Sequence, residues 1–174
     1  RMIDTMNRAY AAEYGCNFTS IIPTNIYGKH DNFSIEKGHV IPGLIHKCYK
    51  AKENNTPFTI WGSGTPLRQF VYNRDLAELT VWVTRDYNEP DPIILSVDEA
   101  DEVTNKDVAL AVAKAMKFEG KVEFDTSKSD GQHKKTACNN KLRKYLPDYK
   151  FTTMPDGIQQ SVDWFVDNYE TVRK

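Results

Sequence analysis

Residues 93–97 form an apolar run, Ile-Ile-Leu-Ser-Val, directly after the chain-breaking sequence Asn-Glu-Pro-Asp-Pro. A run of this length and composition is typical of a strand that is buried on both faces of a sheet. Residues 16–22 are a second candidate strand, because β-forming residues follow Phe18 and the run ends at Pro23. A helical pattern precedes that strand, and Gly15 lies where a left-handed residue would end the helix. A helix followed by an apolar strand predicts an α/β fold, in which ligands bind beyond the carboxyl ends of the strands.

Composition limits the classes of function. The chain has 174 residues, of which 40% are hydrophobic, and this is enough for a buried core and about one domain. Its 23 basic and 24 acidic residues give a net charge of −1, which argues against general affinity for nucleic acid or membrane surfaces. No apolar run approaches the length of about 18 residues that a membrane span requires.

The three cysteines, Cys16, Cys48 and Cys138, are odd in number and far apart. Without a Cys-x-x-Cys spacing they argue against a disulfide framework and against a zinc site. We therefore expect a reducing, cytoplasmic setting and no metal.

The sequence begins with Arg1 directly inside the first helical pattern, with no capping residue before it. A helix start leaves backbone N–H groups unpaired, and a capping side chain commonly satisfies one of them. We therefore expect this chain to be a piece of a longer polypeptide.

Three signals mark helix ends in the second half of the chain. Thr104 and Asp107 have the spacing of a capping box, with Asp in place of Glu, and predict that a helix starts there. Gly120 is predicted to end that helix. Pro155 and Asp156 predict the start of a final amphipathic helix.

Residues 58–76 predict a hairpin or a strand–turn–strand unit, followed by a helix. Residues 58–61 and 67–72 are rich in β-forming residues, and Gly62 and Gly64 between them permit a tight reversal. Asn73 occupies the expected N-cap position of the helix that follows.

Two side chains of this stretch are candidates for a nucleotide site. Arg68 would offer a planar fork of donors to phosphate oxygens, and Trp61 a flat face to a base or sugar. An arginine at a strand edge over solvent and a tryptophan in the core are the alternative interpretations.

The loop at 23–33 is a second candidate site because it contains more side-chain donors and acceptors than a simple turn requires. Asn25, Gly28 and Asn32 are also ordinary turn residues, so a purely structural loop remains open. After it, His39 precedes a helix and is either a structural residue near the cap or a general acid/base, since imidazole titrates near neutral pH. Lys47 in that helix is either solvated or part of the same anion site as Arg68.

Residues 127–150 carry seven basic residues against Asp130 and Asp148. Such a run usually forms a solvated face, and lining of a phosphate site is the alternative.

The ordered set of these segments resembles the GDP-L-fucose synthase family of extended short-chain dehydrogenase/reductases over essentially the whole chain. The matching segments are Pro23-Thr24-Asn25-Ile26-Tyr27-Gly28, Asp31-Asn32-Phe33, Gly38-His39-Val40-x-Pro42-x-Leu44-Ile45, Trp61-Gly62-x-Gly64-x-Pro66-x-Arg68-Gln69-Phe70 and Ser129-Asp130-Gly131. Related NDP-sugar epimerases and dehydratases usually carry Arg-x-x-Asn-x-Tyr-Gly-Pro at the first segment. Ile22 and Lys29 stand in place of that arginine and proline, which favours the fucose-synthase branch.

The resemblance implies the C-terminal part of a Rossmann-like enzyme with a smaller α/β substrate-binding lobe. The last elements of the sheet would occupy about 1–28 and 73–97, and the lobe about 29–72 and 98–174. The family takes GDP-4-keto-6-deoxy-D-mannose, epimerises carbons 3 and 5, and reduces the keto group with NADPH, commonly as a homodimer. Its catalytic Tyr-x-x-x-Lys pair and its catalytic cysteine would lie upstream, so we expect this chain alone to be inactive.

The resemblance also implies roles for single residues. His39 would be the acid/base of epimerisation and would lie close to the cofactor. The cofactor contacts near the nicotinamide would be Pro23, Thr24, Asn25 and Ile26. The substrate contacts would be Lys47, Trp61, Arg68 and Asp130, with Lys47 and Arg68 at the GDP. Two alternatives remain open: another NDP-sugar epimerase or dehydratase, and a non-catalytic nucleotide-binding or interaction module.

Overall fold

Helices and short strands alternate along residues 2–174, which are the part of the chain that this computed structural model describes. Arg1, where the sequence predicts that the first helical pattern is already under way, lies outside the described residues. The helices are α1 (Met2–Tyr14), α2 (Val40–Glu53), α3 (Asn73–Asp86), α4 (Asn105–Ala115), α5 (Asn140–Tyr145) and α6 (Met154–Asp167). The strands are β1 (Ile21–Pro23), β2 (Asn25–Tyr27), β3 (Phe58–Trp61), β4 (Leu67–Arg68), β5 (Phe70–Tyr72), β6 (Ile93–Leu95), β7 (Val103–Thr104) and β8 (Val122–Asp125). The prediction of an α/β fold is confirmed.

Three of the strand pairs in the described chain are parallel. β1 pairs with β6, β2 with β5 and β3 with β8, and the antiparallel pair joins β4 to β7. The two apolar runs predicted as strands are therefore neighbours, in the register Ile21 to Ile93. The first run begins later than predicted, since regular pairing starts only at Ile21.

Of the two alternatives predicted at 58–72, the hairpin is wrong and the strand–turn–strand unit is confirmed. β3 pairs with β8, whereas β4 pairs with β7 and β5 with β2, so the two halves of the expected hairpin belong to different sheets. Gly62 and Gly64 do turn the chain, with φ of 86° and 76° in the left-handed region that favours glycine. The turn redirects the chain towards new partners instead of folding it back on β3.

The helix ends follow the local signals in most cases. The capping box is confirmed, with Thr104 Oγ1 accepting from Asp107 N at 3.0 Å and Asp107 Oδ2 accepting from Thr104 N at 3.1 Å. Gly15 adopts φ 66° after α1 as predicted, and α6 begins beside Pro155.

Two helix-end predictions are wrong. Tyr72, not Asn73, is the N-cap residue of α3, and the Asn73 amide instead donates to Lys29 O at 2.8 Å. Helix α4 ends before Gly120, because Lys117 takes the left-handed conformation with φ 51°.

Two hydrophobic clusters organise the chain. The larger lies among α2, α4, α6 and the strands β3 and β5, and it includes Phe33, Ile45, Phe58, Val112 and Phe165. The smaller joins α3, β6 and α5 through Leu79, Ile93, Leu95 and Leu142. Helix α1 buries none of its side chains, and its residues Met2 and Ile3 are exposed. Within residues 2–174, no helix has both the length and the apolar character needed to cross a membrane.

Candidate functional site

Two cavities meet at the entry of helix α2. The Asn25 cavity, of about 440 Å³, is bounded by 24–27, 38–41 and Phe70. The Trp61 cavity, of about 190 Å³, lies on the other side of the same helix entry. Its lining includes Leu44, Lys47, Ile60, Trp61 and Asn105. Residues 38–40 line both cavities, so His39 lies in the wall that they share.

The structure brings four of the five residues expected near the cofactor to the Asn25 cavity. Thr24, Asn25, Ile26 and His39 line it, whereas Pro23 lies in β1 opposite Leu95 and is not part of its wall. Strand β2 and its partner β5 hold the wall in place. The Asn25 amide donates to Gln69 O at 2.9 Å, and the hydroxyls of Thr24 and Ser96 lie 3.1 Å apart. These residues follow β1, where an α/β sheet commonly binds its ligand.

His39 is held at the start of α2 by its backbone. It is the N-cap residue of α2, but its side chain makes no capping hydrogen bond and is exposed. Gly38 before it donates to Ser34 O at 2.8 Å. A Cβ at Gly38 would lie 2.4 Å from that oxygen, so the tight loop admits only glycine. The structure therefore presents the imidazole to both cavities and gives it no capping role.

Lys47 and Trp61 contact each other in the wall of the Trp61 cavity. The Lys47 ammonium lies 3.2 Å from the centre of the Trp61 indole ring, a cation–π contact. Burial lowers the pKa of Lys47 to about 8, which is well below the usual value for lysine. Trp61 is 50% exposed, so the alternative of a core tryptophan is wrong. The cavity thus combines a flat apolar wall with a cation.

Arg68 does not line either cavity. Its guanidinium donates to the carbonyl oxygens of Gln132 at 2.6 Å and Leu67 at 2.7 Å, and more weakly to His133 at 3.5 Å. These bonds tie β4 to the segment 132–133. They occupy Nη1 and one donor of Nη2, and they leave the N–H of Nε and the second N–H of Nη2 for a phosphate.

Asp130 holds the glycine turn together. Its Oδ1 accepts from Ser63 N at 2.7 Å. Hydrogen bonding from the Ser63 side chain, and then from the Ser63 backbone, holds the pKa of the carboxyl below its usual range. A Cβ at Gly62 would lie 2.2 Å from the same oxygen, so glycine is needed for the close approach. The turn that Asp130 stabilises directly follows Trp61. Asp130 itself is not part of the wall of either cavity.

Three of the seven basic residues at 127–150 pair with acids of 89–102. Lys134 pairs with Glu99 at 3.1 Å, and Lys141 with Glu89 at 2.6 Å. Arg143 pairs with Asp98 at 2.6 Å. Because these cations already have anionic partners, the stretch supports the interpretation of a solvated, ion-paired face.

Sequence reasoning gave no role to two residues that shape the site. Gln69 is fully buried, and its amide bonds Val97 O at 2.9 Å and Ala137 N at 2.7 Å, so it joins three segments behind the Asn25 cavity. A glutamine inside an apolar strand is a signal that could have indicated this. Asn105, in the wall of the Trp61 cavity, had no such signal, because it reads as an ordinary residue of a helix start.

Residues 1–97 match the family described as the NAD dependent epimerase/dehydratase family. The chain belongs to this family. The matched part contains β1, β2 and β6 together with His39, Lys47, Trp61 and Arg68. Membership agrees with the parallel strand pairs and confirms the expected Rossmann-like α/β class.

Two relatives with similar sequences are named as GDP-L-fucose synthases. The chain is 59% identical over 174 residues to a GDP-L-fucose synthase from Dictyostelium discoideum, covering 100% of this chain and 54% of that protein. It is 54% identical over 181 residues to a probable GDP-L-fucose synthase from Drosophila melanogaster, covering 100% of this chain and 56% of that protein. The resemblance found in the sequence is confirmed. The chain spans about half the length of these relatives.

A solved structure shares the fold closely. A GDP-L-fucose synthetase from Naegleria fowleri, bound to NADP, superposes with a TM-score of 0.96 at 48% identity. The match covers 100% of this chain and 56% of that one. The arrangement of strands and helices described above is therefore that of a family member whose structure contains NADP.

Proposed function

We propose that this chain is the substrate-binding part of a GDP-L-fucose synthase, which epimerises GDP-4-keto-6-deoxy-D-mannose at carbons 3 and 5 and reduces its keto group with NADPH. The observation that carries the proposal is the position of His39 in the wall shared by two cavities. An acid/base there reaches a sugar that lies between a nucleotide in one cavity and a nicotinamide in the other. The names of the closely similar relatives support this reaction.

The two hydrophobic clusters support the proposed division of the chain. The smaller cluster contains β6 and the residues of α3 that cover it, which we assign to the cofactor-binding sheet at about 1–28 and 73–97. It also contains Leu142 of α5, so the proposed lobe packs against that sheet. The larger cluster lies mainly in the proposed lobe at about 29–72 and 98–174. The pairing of β2 with β5 joins the two parts, so they share a backbone connection beside the Asn25 cavity.

The Asn25 cavity is suited to the nicotinamide end of NADPH. Ile26 and Phe70 supply apolar wall, while the side chains of Thr24 and Asn25 supply polar atoms. At about 440 Å³ it is within the range of small-molecule sites. The Naegleria fowleri relative is bound to NADP, and this supports the same cofactor here. When bound, NADPH supplies the hydride for reduction, and the residues of this chain orient the ring and exclude water.

His39 is suited to the epimerisation. Carbons 3 and 5 both flank the ketone, so their protons are acidified by enolate formation. An exposed imidazole with no capping bond is free to take and return a proton at these carbons. We assign that proton transfer to His39, working with an acid/base from outside this chain.

The Trp61 cavity is suited to the GDP part. The Lys47 ammonium would leave the indole ring to pair with the diphosphate, since an anion attracts it more strongly than an aromatic face does. Arg68 keeps the N–H of Nε and one N–H of Nη2 for the diphosphate, and we place Asp130 as a support of the turn that carries Trp61.

We also propose that the protein is a cytoplasmic homodimer. The free cysteines of the described chain are consistent with a reducing compartment. The exposed apolar side chains of α1, including Met2, Ile3, Met6 and Tyr10, supply a surface that a second copy would cover.

The test uses the full-length gene product that carries this sequence. His39→Gln is incubated with GDP-4-keto-6-deoxy-D-mannose in deuterium oxide, and deuterium at carbons 3 and 5 is measured by mass spectrometry. Exchange should fall at least a hundredfold, which is the usual contribution of a positioned acid/base group. GDP affinity should stay close to that of the parent. Exchange at the parental rate would remove His39 from the reaction. His133→Gln, on an exposed loop, is the matched control and should exchange normally.

A further inference from the structure

Asn105 has a buried amide oxygen without a hydrogen-bond partner. Among the described residues its Oδ1 is one of the few buried side-chain polar atoms that lack one. The same side chain belongs to the lining of the Trp61 cavity. Buried acceptors in folded proteins are nearly always satisfied, so an unpaired one beside a cavity needs an explanation.

The backbone around Asn105 is firmly held. Asn105 is the first residue of α4, whose start is closed by the capping box of Thr104 and Asp107. Asn105 N donates to Pro66 O at 3.2 Å, and Lys106 N donates to Gly64 O at 2.9 Å. These bonds attach the helix start to the loop that follows Trp61. The backbone of Asn105 therefore keeps a fixed position relative to the loop that follows Trp61.

The other residues that line the cavity indicate which kind of ligand would donate a hydrogen bond to that oxygen. Leu44, Ile60 and the Trp61 ring provide apolar walls, and Lys47 provides a cation. This combination suits a flat heteroaromatic ring that carries an N–H group at its edge and an anion at some distance. A nucleoside diphosphate with a donor on its base meets all three requirements.

We propose that the Asn105 carboxamide accepts a hydrogen bond from the N1–H edge of guanine and thereby selects guanine over adenine. Guanine N1 carries a hydrogen, whereas adenine N1 is an acceptor that an amide oxygen would repel. The two purines have nearly the same size, so apolar walls alone discriminate poorly between them, whereas an unpaired polar group discriminates strongly. The inference rests on the proposed function, because it assigns the base of the GDP-sugar to the Trp61 cavity.

The experiment measures the dissociation constants of GDP and ADP by calorimetry on the full-length gene product. The parent should bind GDP at least tenfold more tightly than ADP. Asn105→Leu removes the acceptor at similar volume, so it should weaken GDP about tenfold and should tighten ADP, because the repulsion of adenine N1 is removed as well. Asn105→Asp keeps an acceptor oxygen and should preserve the preference for GDP. If the Leu variant does not fold, Asn105→Ala replaces it in the same comparison.

Each other outcome has a distinct meaning. Equal weakening of GDP and ADP in Asn105→Leu would show that the side chain only packs, and it would overturn the proposal. Unchanged binding of both nucleotides would also overturn it, while leaving the proposed function in place. A parent that binds neither nucleotide would contradict the proposed function itself, and the role of Asn105 would fall with it.

Discussion

The Lys47 ammonium lies 3.2 Å from the centre of the Trp61 indole ring, in the wall of a cavity that also reaches His39. Burial in this position lowers the pKa of Lys47 to about 8. The amine therefore changes charge just above neutral pH in the unliganded protein. A diphosphate bound beside it would favour the charged form and raise the pKa again.

GDP affinity should decrease as the pH rises from 7 to 8.5. With a pKa of about 8, the protonated fraction of Lys47 falls over this interval, and binding should weaken about fourfold. Lys47→Arg keeps its charge at every pH used and should remove most of this decrease. Calorimetric titrations at three pH values measure the GDP affinity of the full-length gene product and of its Lys47→Arg variant. A parent whose affinity is flat from pH 7 to 8.5 would contradict the assignment of Lys47 to the diphosphate.

Asp130 should control the mobility of the glycine turn. Its Oδ1 accepts from Ser63 N at 2.7 Å, so Asp130→Ala removes the acceptor and should speed amide exchange at Ser63 several-fold. Asp130→Asn retains an oxygen in the same place and should exchange at nearly the parental rate. NMR-detected hydrogen exchange reports on Ser63 directly. If the alanine variant exchanges like the parent, Asp130 does not support the turn, and a direct contact with substrate becomes its better explanation.

Gln69→Leu should destabilise the protein strongly. The substitution leaves Val97 O and Ala137 N buried without their partner, which costs about 3 kcal/mol of unfolding free energy. Gln159→Leu is the matched control, because this glutamine is exposed on α6 and its change should cost about 0.5 kcal/mol or less. Urea unfolding gives both values. Equal midpoints for the two variants would show that the buried amide network is not important for stability.

His46 should make stability depend on pH. Its Nδ1 lies 2.8 Å from Phe33 O, which can only accept, so Nδ1 carries the proton and the buried Nε2 has no partner among the described residues. Burial lowers the pKa of His46 below 6.5, and Lys50 and Lys174 nearby oppose its charging further. The unfolded chain therefore binds a proton more readily than the folded one. Stability is fully present above pH 6.5 and is lost as the pH falls towards the folded pKa.

Unfolding free energies at pH 7, 6 and 5 test this prediction. His46→Gln should lose less stability than the parent over this range, because the titrating ring is gone. His133→Gln, on the exposed loop, should follow the parent. A parent and a His46→Gln variant with parallel pH profiles would show that the histidine is not the responsible group.

The sequence was informative where structure is local and less so where partners are distant. The capping box at Thr104 and the left-handed Gly15 depend on residues within one turn, and both were predicted correctly. The pairing of β3 with β8 joins segments far apart along the chain, so the short loop at Gly62 suggested a hairpin that does not form.

The candidate site could likewise be predicted only in part from the sequence. The resemblance brought His39, Lys47 and Trp61 to attention, and the structure places them around one cavity. It could not show that the guanidinium of Arg68 is engaged by carbonyl groups, because those belong to a loop at 132–133 that reaches it only in the folded chain. For the same reason, the unpaired oxygen of Asn105 is visible only once the helix start is packed against Gly64 and Pro66.

A crystal structure of the full-length gene product with GDP and NADPH tests the central claim most directly. The measurement is the distance from the His39 imidazole to each ligand. We expect the guanine to lie against Trp61, the nicotinamide to lie in the cavity of Asn25 and Ile26, and His39 to lie near the space between them. GDP bound away from Trp61, or a His39 ring remote from both ligands, would contradict the proposed roles of these residues.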